Sequence, residues 1–340
     1  MSNPTKYSKS ILITGGAGFI GSNFIPYILS QDDAVRIINI DKLTYAGDLS
    51  NLEEVKNNKR YNFIKGDIAD RQLVDEIFDK FDVDGVIHFA AESHVDNSID
   101  NPDNFVETNI KGTYALLESA RKYWKPSLES ESKFRFHHIS TDEVYGSLGK
   151  EGYFTEQSPY APNSPYSATK AASDFLVRSY HHTYGLNTVT SNCSNNYGPK
   201  QHDEKLIPTI IRTALKGQQI PIYGKGTNVR DWLYVGDHCR AILEIYKQGK
   251  SGETYLVSGN SEHNNLYIAN IICNYLDRIR PKPSGRYSAQ IKFVEDRPGH
   301  DFRYAIDASK IQNELDWKPE TSFETGLAKT IDWYLEKYKL

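Results

Sequence analysis

A glycine-rich turn between two apolar segments is the feature that most constrains this chain. The segment Gly15–Gly21 (GGAGFIG) follows the strand-like run Ser10–Thr14 and opens a helical pattern over residues 19–29. The GxxGxxG spacing permits a tight turn that lets the backbone approach a pyrophosphate. Free N–H groups at the start of the helix favour the same anion. A tight turn without a ligand is the alternative, but the position between a strand and a helix favours a dinucleotide site.

Asp41 strengthens this interpretation and selects the cofactor. It lies at the end of the second strand-like run, Val35–Ile40, twenty positions after Gly21. A carboxylate at that point can accept hydrogen bonds from both hydroxyls of an adenosine ribose, and its charge repels the additional phosphate of NADP. The sequence therefore predicts NAD, unless Asp41 only caps a helix or a turn. Asp67 and Ile68, after the next strand-like run, are candidates for contact with the edge of the adenine ring.

Strand-like and helix-like segments alternate through the first half of the chain. Further strands are predicted at Tyr61–Lys65, Gly85–Ala91 and Phe134–Ser140. Helices are predicted at Arg71–Phe81, Asn104–Tyr123 and Ser164–Tyr184. The alternation predicts an α/β fold of Rossmann type, in which a doubly wound parallel sheet carries helices on both faces.

Composition excludes several other classes of protein. The chain has 340 residues, of which 39% are hydrophobic and 25% charged, and a net charge of −4, so a nucleic-acid partner is not expected. The longest apolar runs fall short of the roughly 20 residues that span a membrane, and Met1–Ser10 lacks the apolar core of a signal peptide. Cys193, Cys239 and Cys273 are widely separated, which argues against disulfides or a metal site. We therefore expect a cytoplasmic protein without a metal.

Two motifs predict acid–base chemistry at one edge of the sheet. Tyr166 and Lys170 form a YxxxK motif, and a helix puts side chains four positions apart on one face. We expect the lysine to lower the pKa of the phenol, so that phenolate takes a proton from a substrate hydroxyl. Thr141, Asp142 and Glu143 directly follow the fifth predicted strand, where ligands bind in such sheets. A surface helix and a solvated turn are the corresponding alternatives.

The second half of the chain differs from the first. Beyond about residue 190, loop-forming residues become frequent and the predicted elements become shorter. We therefore predict two domains. Residues 1–190 form an NAD-binding Rossmann domain that carries the catalytic residues. Residues 191–340 form a smaller C-terminal α/β lobe that mainly binds the substrate, with part of the chain crossing back to the first domain.

Nine segments together carry a family resemblance. They are Gly15–Ser22, Asp41–Ala46 (DKLTYA), Ala90–Asp96 (AAESHVD), Thr141–Gly146, Tyr166–Lys170, Asn192–Pro199 (NCSNNYGP), Glu204–Pro208 (EKLIP), Arg230–Val235 (RDWLYV) and Asp296–Asp301 (DRPGHD). In order and spacing they closely resemble the dTDP-glucose 4,6-dehydratase family of extended short-chain dehydrogenase/reductases. The Thr-Asp-Glu-x-Tyr-Gly block is the most specific. Related 4-epimerases carry small or hydroxyl residues in place of Asp142 and Glu143, and GDP-mannose dehydratases tend to have Thr-Ser-Glu.

The resemblance implies a lyase that removes water from dTDP-glucose to give dTDP-4-keto-6-deoxyglucose. Tyr166 would take the proton of the C4 hydroxyl while hydride passes from C4 to NAD, with Thr141 bonded to the C4 oxygen. Glu143 would then take the C5 proton, Asp142 would protonate the leaving C6 hydroxyl, and hydride would return to C6. The cofactor ends oxidised, so the resemblance implies tightly held NAD. It also implies a homodimer in which each subunit contributes two long helices to a four-helix interface.

The resemblance assigns site residues by position. The residues that would bind NAD are Gly15, Gly18, Phe19, Ile20, Gly21, Asp41, Lys42, Thr44, Asp67, Ile68, Ala90, Ala91, Ser93, Thr108, Tyr166, Lys170 and Asn196. The residues that would bind the nucleotide sugar are His94, Thr141, Asn195, Lys205, Leu206, Pro221, Tyr223, Arg230, Asn265 and 296–300, with Asp296 and His300 at its ends. An arginine such as Arg230 can bind a diphosphate with two parallel hydrogen bonds, and Tyr223 can stack on a base.

Several alternatives remain open at this point. Arg230 could instead pair with Asp231, His94 could be structural, and Asn264 could replace Asn265. Asn97 stands where the family has arginine, and residues 200–203 and 146–160 also depart from its pattern, which affects the expected sugar contacts. A UDP-sugar 4-epimerase and a non-catalytic NAD-binding regulator are the competing functions, and the motifs leave the nucleotide base open.

Overall fold

The computed structural model describes residues 7–128, 132–296 and 300–338. Its strands are β1 (Lys9–Thr14), β2 (Val35–Asp41), β3 (Tyr61–Lys65), β4 (Gly85–His88), β5 (Arg135–Thr141), β6 (Thr188–Cys193), β7 (Asn195–Tyr197), β8 (Ile220–Tyr223), β9 (Val229–Tyr234), β10 (Thr254–Val257), β11 (Glu262–Asn264) and β12 (Ile291–Val294). Its α-helices are α1 (Phe19–Gln31), α2 (Arg71–Phe81), α3 (Val95–Asp100), α4 (Asp103–Phe105), α5 (Thr113–Trp124), α6 (Pro165–Tyr184), α7 (Leu206–Leu215), α8 (Val235–Gln248), α9 (Asn265–Ile279), α10 (Ser309–Leu315) and α11 (Phe323–Tyr338).

A seven-stranded parallel sheet forms the centre of the molecule, with the strand order β10-β6-β5-β4-β1-β2-β3. In β1, Ile11 and Ile13 face the layer formed by α1 and α8, whereas Leu12 faces the layer formed by α2, α5 and α6. Both faces are therefore apolar, as expected for parallel strands covered by helices on both sides. The predicted Rossmann-type sheet is confirmed.

The second half of the chain builds a smaller lobe and also completes the large sheet. β11, β9 and β7 form a three-stranded sheet, and β12 pairs in parallel with β8. The apolar faces of α7, α9 and α11 pack around these strands in a separate core. β10 and α8 return to the large sheet, where β10 pairs with β6. The chain thus leaves the first sheet after β6 and comes back to it at β10.

Several predicted elements differ from the structure by one or two residues at an end, and two differ by more. β4 ends at His88, three residues before the predicted end, and residues 89–93 then turn out of the sheet. The predicted helix Asn104–Tyr123 contains a π-helical stretch at Val106–Gly112, which leads into α5. Asn109 in this stretch exchanges hydrogen bonds with the backbone of Glu92, so the wider turn ties the helix to the segment that follows β4. Such π-helical stretches frequently occur near functional sites.

In the described ranges, no helix is both long enough and apolar enough to traverse a bilayer. The same residues contain no cluster of three or more histidine, cysteine or acidic side chains arranged to hold a metal ion.

Asp231 on β9 joins the small lobe to the end of β10. Its carboxylate accepts hydrogen bonds from the Ser258 hydroxyl at 2.7 Å, from Gly259 N–H at 3.1 Å and from Ser261 N–H at 2.7 Å. A Cβ atom at Gly259 would lie 1.9 Å from the carbonyl oxygen of Trp232. The junction between the two sheets therefore has no room for a side chain at this position.

We expect Gly259→Ala to lower the free energy of unfolding by about 1–3 kcal/mol, because the backbone of β9 must move to admit the methyl group. Urea unfolding followed by circular dichroism measures the change. Gly149→Ala is the matched control, since a Cβ there meets nothing within 4 Å. Equal stability of the two variants would contradict the close contact at Gly259.

Candidate active site

A cavity of about 310 Å³ lies at the carboxyl edge of the large sheet. The segments that leave the ends of β1 to β6 line it, which is where open α/β sheets bind their ligands. All predicted NAD-binding and catalytic residues line this one cavity, together with Asn195 and Lys205 of the predicted substrate set. The topology thus brings together residues that are as far apart in sequence as Gly15 and Lys205.

The glycine turn forms one end of the cavity. Gly15 has a φ angle of 69°, and a Cβ there would lie 2.7 Å from the backbone of Ala90. A Cβ at Gly21 would lie 2.6 Å from the carbonyl oxygen of Gly15. α1 begins directly after this turn with Gly18 as its N-cap, and no side chain caps it. The first N–H groups of α1 therefore remain accessible to an anion.

Asp41 occupies the end of β2 beside this turn. Its carboxylate accepts hydrogen bonds from Ala17 N–H and Leu43 N–H, both at 2.8 Å. Burial raises the pKa of Asp41, and these two backbone hydrogen bonds oppose the rise. Nearby, Lys42 Nζ lies 2.7 Å from Asp67 Oδ2 and connects the ends of β2 and β3. The carboxylate of Asp41 is thus fixed in orientation on the wall of the cavity.

Tyr166 and Lys170 lie at the start of α6 and are both buried. Ser164 caps this helix by accepting a hydrogen bond from Ser167 N–H at 3.1 Å, and the Ser167 hydroxyl donates in return to the backbone carbonyl of Ser164. The ammonium group of Lys170 donates to the carbonyl oxygen of Ile139 on β5 at 2.8 Å. The cap and this hydrogen bond hold the YxxxK pair against β5.

The pKa of Tyr166 differs from the sequence-based expectation. Burial, followed by the charge of Glu143, raises the pKa of the phenol well above its ordinary value, and a hydrogen bond with Thr141 opposes the rise. Burial also lowers the pKa of Lys170 to about 8. The expected lowering of the phenol pKa is therefore wrong for the protein alone, because burial and the charge of Glu143 raise this pKa.

Thr141, Asp142 and Glu143 follow β5 at the same edge. The Thr141 hydroxyl accepts a hydrogen bond from Glu143 N–H at 3.3 Å and so caps a short 3₁₀ turn. Asp142 is 2% exposed, and its Oδ2 has no hydrogen-bond partner in the described part of the chain. Burial, followed by the adjacent charge of Glu143, raises the pKa of Asp142 well above its ordinary value. Burial and the neighbouring carboxylate therefore both favour the protonated form of Asp142.

Comparison with known proteins places this geometry in a family. The family model described as GDP-mannose 4,6 dehydratase matches residues 12–330. A dTDP-glucose 4,6-dehydratase from Xanthomonas campestris pv. campestris (strain B100) is 55% identical over 326 residues, which cover 95% of this chain and 92% of that protein. The chain belongs to the dTDP-glucose 4,6-dehydratase family.

Solved structures agree with this assignment. A dTDP-glucose 4,6-dehydratase from Streptomyces venezuelae, crystallised with NAD, is 43% identical with a TM-score of 0.89, and the match covers 97% of this chain and 98% of that one. A UDP-glucose 4-epimerase from Thermotoga maritima, crystallised with UDP-glucose, has a TM-score of 0.84 over 97% of this chain and 99% of its own, but is only 27% identical. The fold is thus shared with epimerases, whereas the sequence is much closer to the dehydratases.

The remaining predicted substrate residues of the dehydratase pattern lie outside the cavity. They are His94, Leu206, Pro221, Tyr223, Arg230, Asn265, Asp296 and His300. Pro221 and Tyr223 belong to β8, Leu206 begins α7, and Asn265 begins α9. Residues 297–299 of the predicted set lie outside the described residues.

Arg230 lies in the small lobe near the predicted base-binding residues. Its guanidinium stacks over the ring of Tyr304 at 4.3 Å and donates to the carbonyl oxygen of Asp301 at 3.0 Å. The rings of Tyr223 and His300 are 6.4 Å apart, and Nδ1 of His300 lies 2.6 Å from the carboxylate of Asp296. These residues therefore form a second cluster in the small lobe, close enough to the cavity that the charge of Arg230 opposes the rise in the pKa of Asp142.

The structure also addresses two alternatives left by the sequence. The side chain of Asn264 accepts a hydrogen bond from Tyr267 N–H at 2.8 Å and caps α9, which favours its neighbour Asn265 as the substrate residue. Asp231 accepts the hydrogen bonds of the 258–261 turn described above, so it has a structural role in that turn.

Two carboxylates on the cavity wall were not among the predicted site residues. Glu92 follows β4, and Glu204 lies next to Lys205. Glu204 accepts a hydrogen bond from the Tyr45 hydroxyl at 3.2 Å and lies 3.5 Å from His202 Nδ1. Each acid lies inside a segment that resembles the family and is next to a predicted site residue. That position in the sequence could have identified both acids as candidate site residues.

The atypical segment 200–203 lies near the glycine turn. Lys200 Nζ donates to the carbonyl oxygen of Ser22 on α1 at 3.1 Å. Gln201 and His202 line the cavity, and the ring of His202 packs edge-on against Tyr45 at 5.4 Å. Two of the residues that depart from the family pattern therefore form part of the cavity wall.

We expect Asp41→Asn to weaken NAD binding by roughly 10- to 100-fold, because hydrogen bonds to a charged acceptor are lost. The same change should reduce the preference for NAD over NADP, since the repelling charge is gone. Isothermal titration with each dinucleotide measures both effects. Asp48→Asn removes a carboxylate just outside the cavity and should leave NAD binding unchanged. Tighter binding of NADP than of NAD by the unaltered protein would contradict the role of Asp41.

Proposed function

We propose that this chain is an NAD-dependent hydro-lyase that converts dTDP-glucose to dTDP-4-keto-6-deoxyglucose. The observation that carries the proposal is the pairing of a buried Asp142 with Glu143 in the cavity that also contains Tyr166, and burial raises the pKa of Asp142 in the direction that an acid requires. An elimination across C5–C6 needs one group that takes a proton and another that gives one. A 4-epimerase breaks no bond at C5 or C6 and so does not need this second acid–base pair in addition to Tyr166, which favours the dehydratase.

The cavity suits NAD. The glycine turn and the free N–H groups of α1 would hold the pyrophosphate, and Asp41 would bind the adenosine ribose. Asp67 and Ile68 would contact the adenine, and Lys170 would hold the nicotinamide ribose. When bound, NAD supplies the hydride acceptor for C4 and the hydride donor for C6. A positively charged nicotinamide ring beside Tyr166 would also lower the pKa of the phenol by Coulomb attraction.

The side chains divide the proton transfers between them. Tyr166 takes the proton of the C4 hydroxyl, while the Thr141 hydroxyl bonds to the C4 oxygen. The resulting 4-keto group acidifies C5–H, and Glu143 takes that proton. Asp142 gives its proton to the departing C6 hydroxyl, and when hydride returns to C6 the Glu143 carboxyl gives its proton back to C5. Because Asp142 acts as an acid, its contribution is present below its raised pKa and is lost as the pH rises through that value.

The division of labour between the two halves of the chain is part of the proposal. Residues 1–190 would hold NAD and the catalytic side chains, and residues 191–340 would mainly hold the nucleotide sugar. Arg230 would bind the diphosphate and Tyr223 would cover the base, with His94, Leu206, Pro221, Asn265, Asp296 and His300 completing the set. Because the three cysteines are free and buried, we also propose a reducing, cytoplasmic location.

The unaltered protein should convert dTDP-glucose to a product lighter by one water, as measured by mass spectrometry. Tyr166→Phe should suppress C4 oxidation, so little reduced nicotinamide should appear in a single turnover. Asp142→Asn combined with Glu143→Gln should allow that oxidation and slow water loss by roughly 10²–10⁴-fold, since an acid and a base are lost. Absorbance of the reduced nicotinamide distinguishes the two variants.

Unchanged circular dichroism and melting temperature in both variants would serve as the folding control. Product formation by the double variant at the original rate would refute the roles of Asp142 and Glu143. A product of unchanged mass from UDP-glucose, with no water lost from dTDP-glucose, would support the 4-epimerase instead.

We also propose a homodimer through a four-helix interface. α5 and α6 pack against each other, and their outer side carries large apolar side chains. Val106, at the π-helical approach to α5, is 49% exposed, Tyr114 on α5 is 47% exposed, and Phe175 on α6 is 56% exposed. A second copy of the same helix pair would cover this apolar surface, as isologous dimers do.

We expect the unaltered protein to sediment at twice the mass of one chain at micromolar concentration. Tyr114→Glu combined with Phe175→Glu should give a monomer, because like charges would be buried in an apolar interface. Phe293→Glu is the control, since Phe293 on β12 is equally exposed but lies in the other lobe. A monomeric mass for the unaltered protein would rule out the dimer.

A further inference from the structure

Asp174 lies on α6, one turn beyond Lys170, behind the wall of the cavity. Its side chain is 4% exposed, and one carboxylate oxygen accepts three hydrogen bonds. The donors are the Ser140 hydroxyl at 3.0 Å, the Tyr160 hydroxyl at 2.9 Å and the Asn192 side-chain amide at 3.2 Å. Nε2 of His138 lies 3.1 Å from the other oxygen. The carboxylate on α6 therefore binds side chains from three other parts of the chain, which are β5, the segment at Tyr160 and β6.

A carboxylate buried to this extent requires a counter-charge. His138 does not provide one at neutral pH, because burial lowers the pKa of its ring to about 4. Among the described groups that act on Asp174, Lys170 is the cation that stays protonated at neutral pH. Lys170 and Asp174 are four positions apart on α6 and therefore share one face of the helix. The buried charges of this region thus consist of one carboxylate and one ammonium group.

The same hydrogen bonds reach the backbone that carries the acid–base residues. Lys170 donates to the carbonyl oxygen of Ile139, and Ser140 donates to Asp174. Asn192, besides donating to Asp174, donates to the carbonyl oxygen of Thr141 at 3.0 Å. Three consecutive residues at the end of β5 are therefore attached to the network around Asp174.

We propose that Asp174 is a positioning residue: it supplies the buried counter-charge of Lys170 and fixes the ends of β5 and β6 against α6. This inference rests on the dehydratase function proposed above, since it assumes that Lys170 acts in its protonated form. Asp174 itself does not line the cavity and acts on the reaction only through Lys170 and β5.

The direction of the effect follows from the groups around Lys170. Those that face it are Tyr166 and Asp174 on α6, His88 on β4, His138 on β5 and Cys193 on β6. Burial raises the pKa of the Cys193 thiol to about 12 and keeps both histidines neutral, so Asp174 is the negative charge that keeps Lys170 protonated. Loss of this charge lowers the pKa of Lys170 further below its ordinary value. Activity that needs the ammonium group is present below that pKa and lost above it.

The first test is the pH profile of dTDP-glucose dehydration by the NAD-loaded enzyme. In Asp174→Asn, the alkaline limb of kcat should move to lower pH by about one unit or more. Tyr160→Phe is the matched control, because it removes one hydrogen bond from Asp174 and keeps the charge; its alkaline limb should stay in place. A ratio of variant to unaltered kcat that is constant across the pH range would overturn the proposal, since structural damage alone gives that result.

The second test does not depend on catalysis. Melting temperatures are compared for Lys170→Met, Asp174→Asn and the double variant, all without substrate. If the two charges compensate each other, the double variant should be more stable than Lys170→Met alone, because no lone buried charge remains. Additive losses would overturn the proposal. Should Asp174→Asn fail to fold, recovery of folded protein in the double variant supports the pairing, and continued failure refutes it. If the unaltered enzyme forms no dehydrated product, the proposed function fails, whereas this second test still decides the role of Asp174.

Discussion

The parallel alignment of β1 to β6 is the constraint on which the rest of the structure depends. Parallel pairing brings the carboxyl ends of all six strands to one edge, so the glycine turn, Asp41, Asp67 and the Thr141–Glu143 segment open into a single cavity. The apolar side chains that alternate along β1 keep helices on both faces, so both faces of the sheet are covered and the carboxyl edge is left for the site. The position of the site is therefore a consequence of how the sheet is covered.

Burial at this edge sets the chemistry. It raises the pKa of Asp142 and of Tyr166 and lowers that of Lys170 to about 8. These shifts share their largest cause, which is the removal of water from the ionisable groups. Burial thus shifts the pKa values of three side chains of different type, a carboxyl group, a phenol and an ammonium group, at one edge of the sheet.

Local patterns predicted much of this arrangement. The glycine spacing, the position of Asp41 and the YxxxK motif are short-range features, and each lies where the sequence placed it. The π-helical stretch at Val106–Gly112 could not be predicted, because it depends on hydrogen bonds between Asn109 and the distant Glu92. The prediction for the pKa of Tyr166 was wrong for a related reason. The motif shows the neighbouring lysine but not the burial, which raises the pKa of the phenol. Glu204 was missed because its partners, Tyr45 and His202, lie in separate loops.

The return of β10 to the large sheet has a consequence for how the chain is made. β6 pairs with β5 on one side and with β10 on the other, and β10 lies about sixty residues further along the chain. During synthesis from the N-terminus, one edge of β6 therefore stays unpaired until the whole segment from β7 to α8 has emerged. An unpaired strand of this kind is a template for pairing with other chains. Because much of the small lobe is synthesised between β6 and β10, it delays the completion of the large sheet. The nascent chain is most prone to misassembly during that interval.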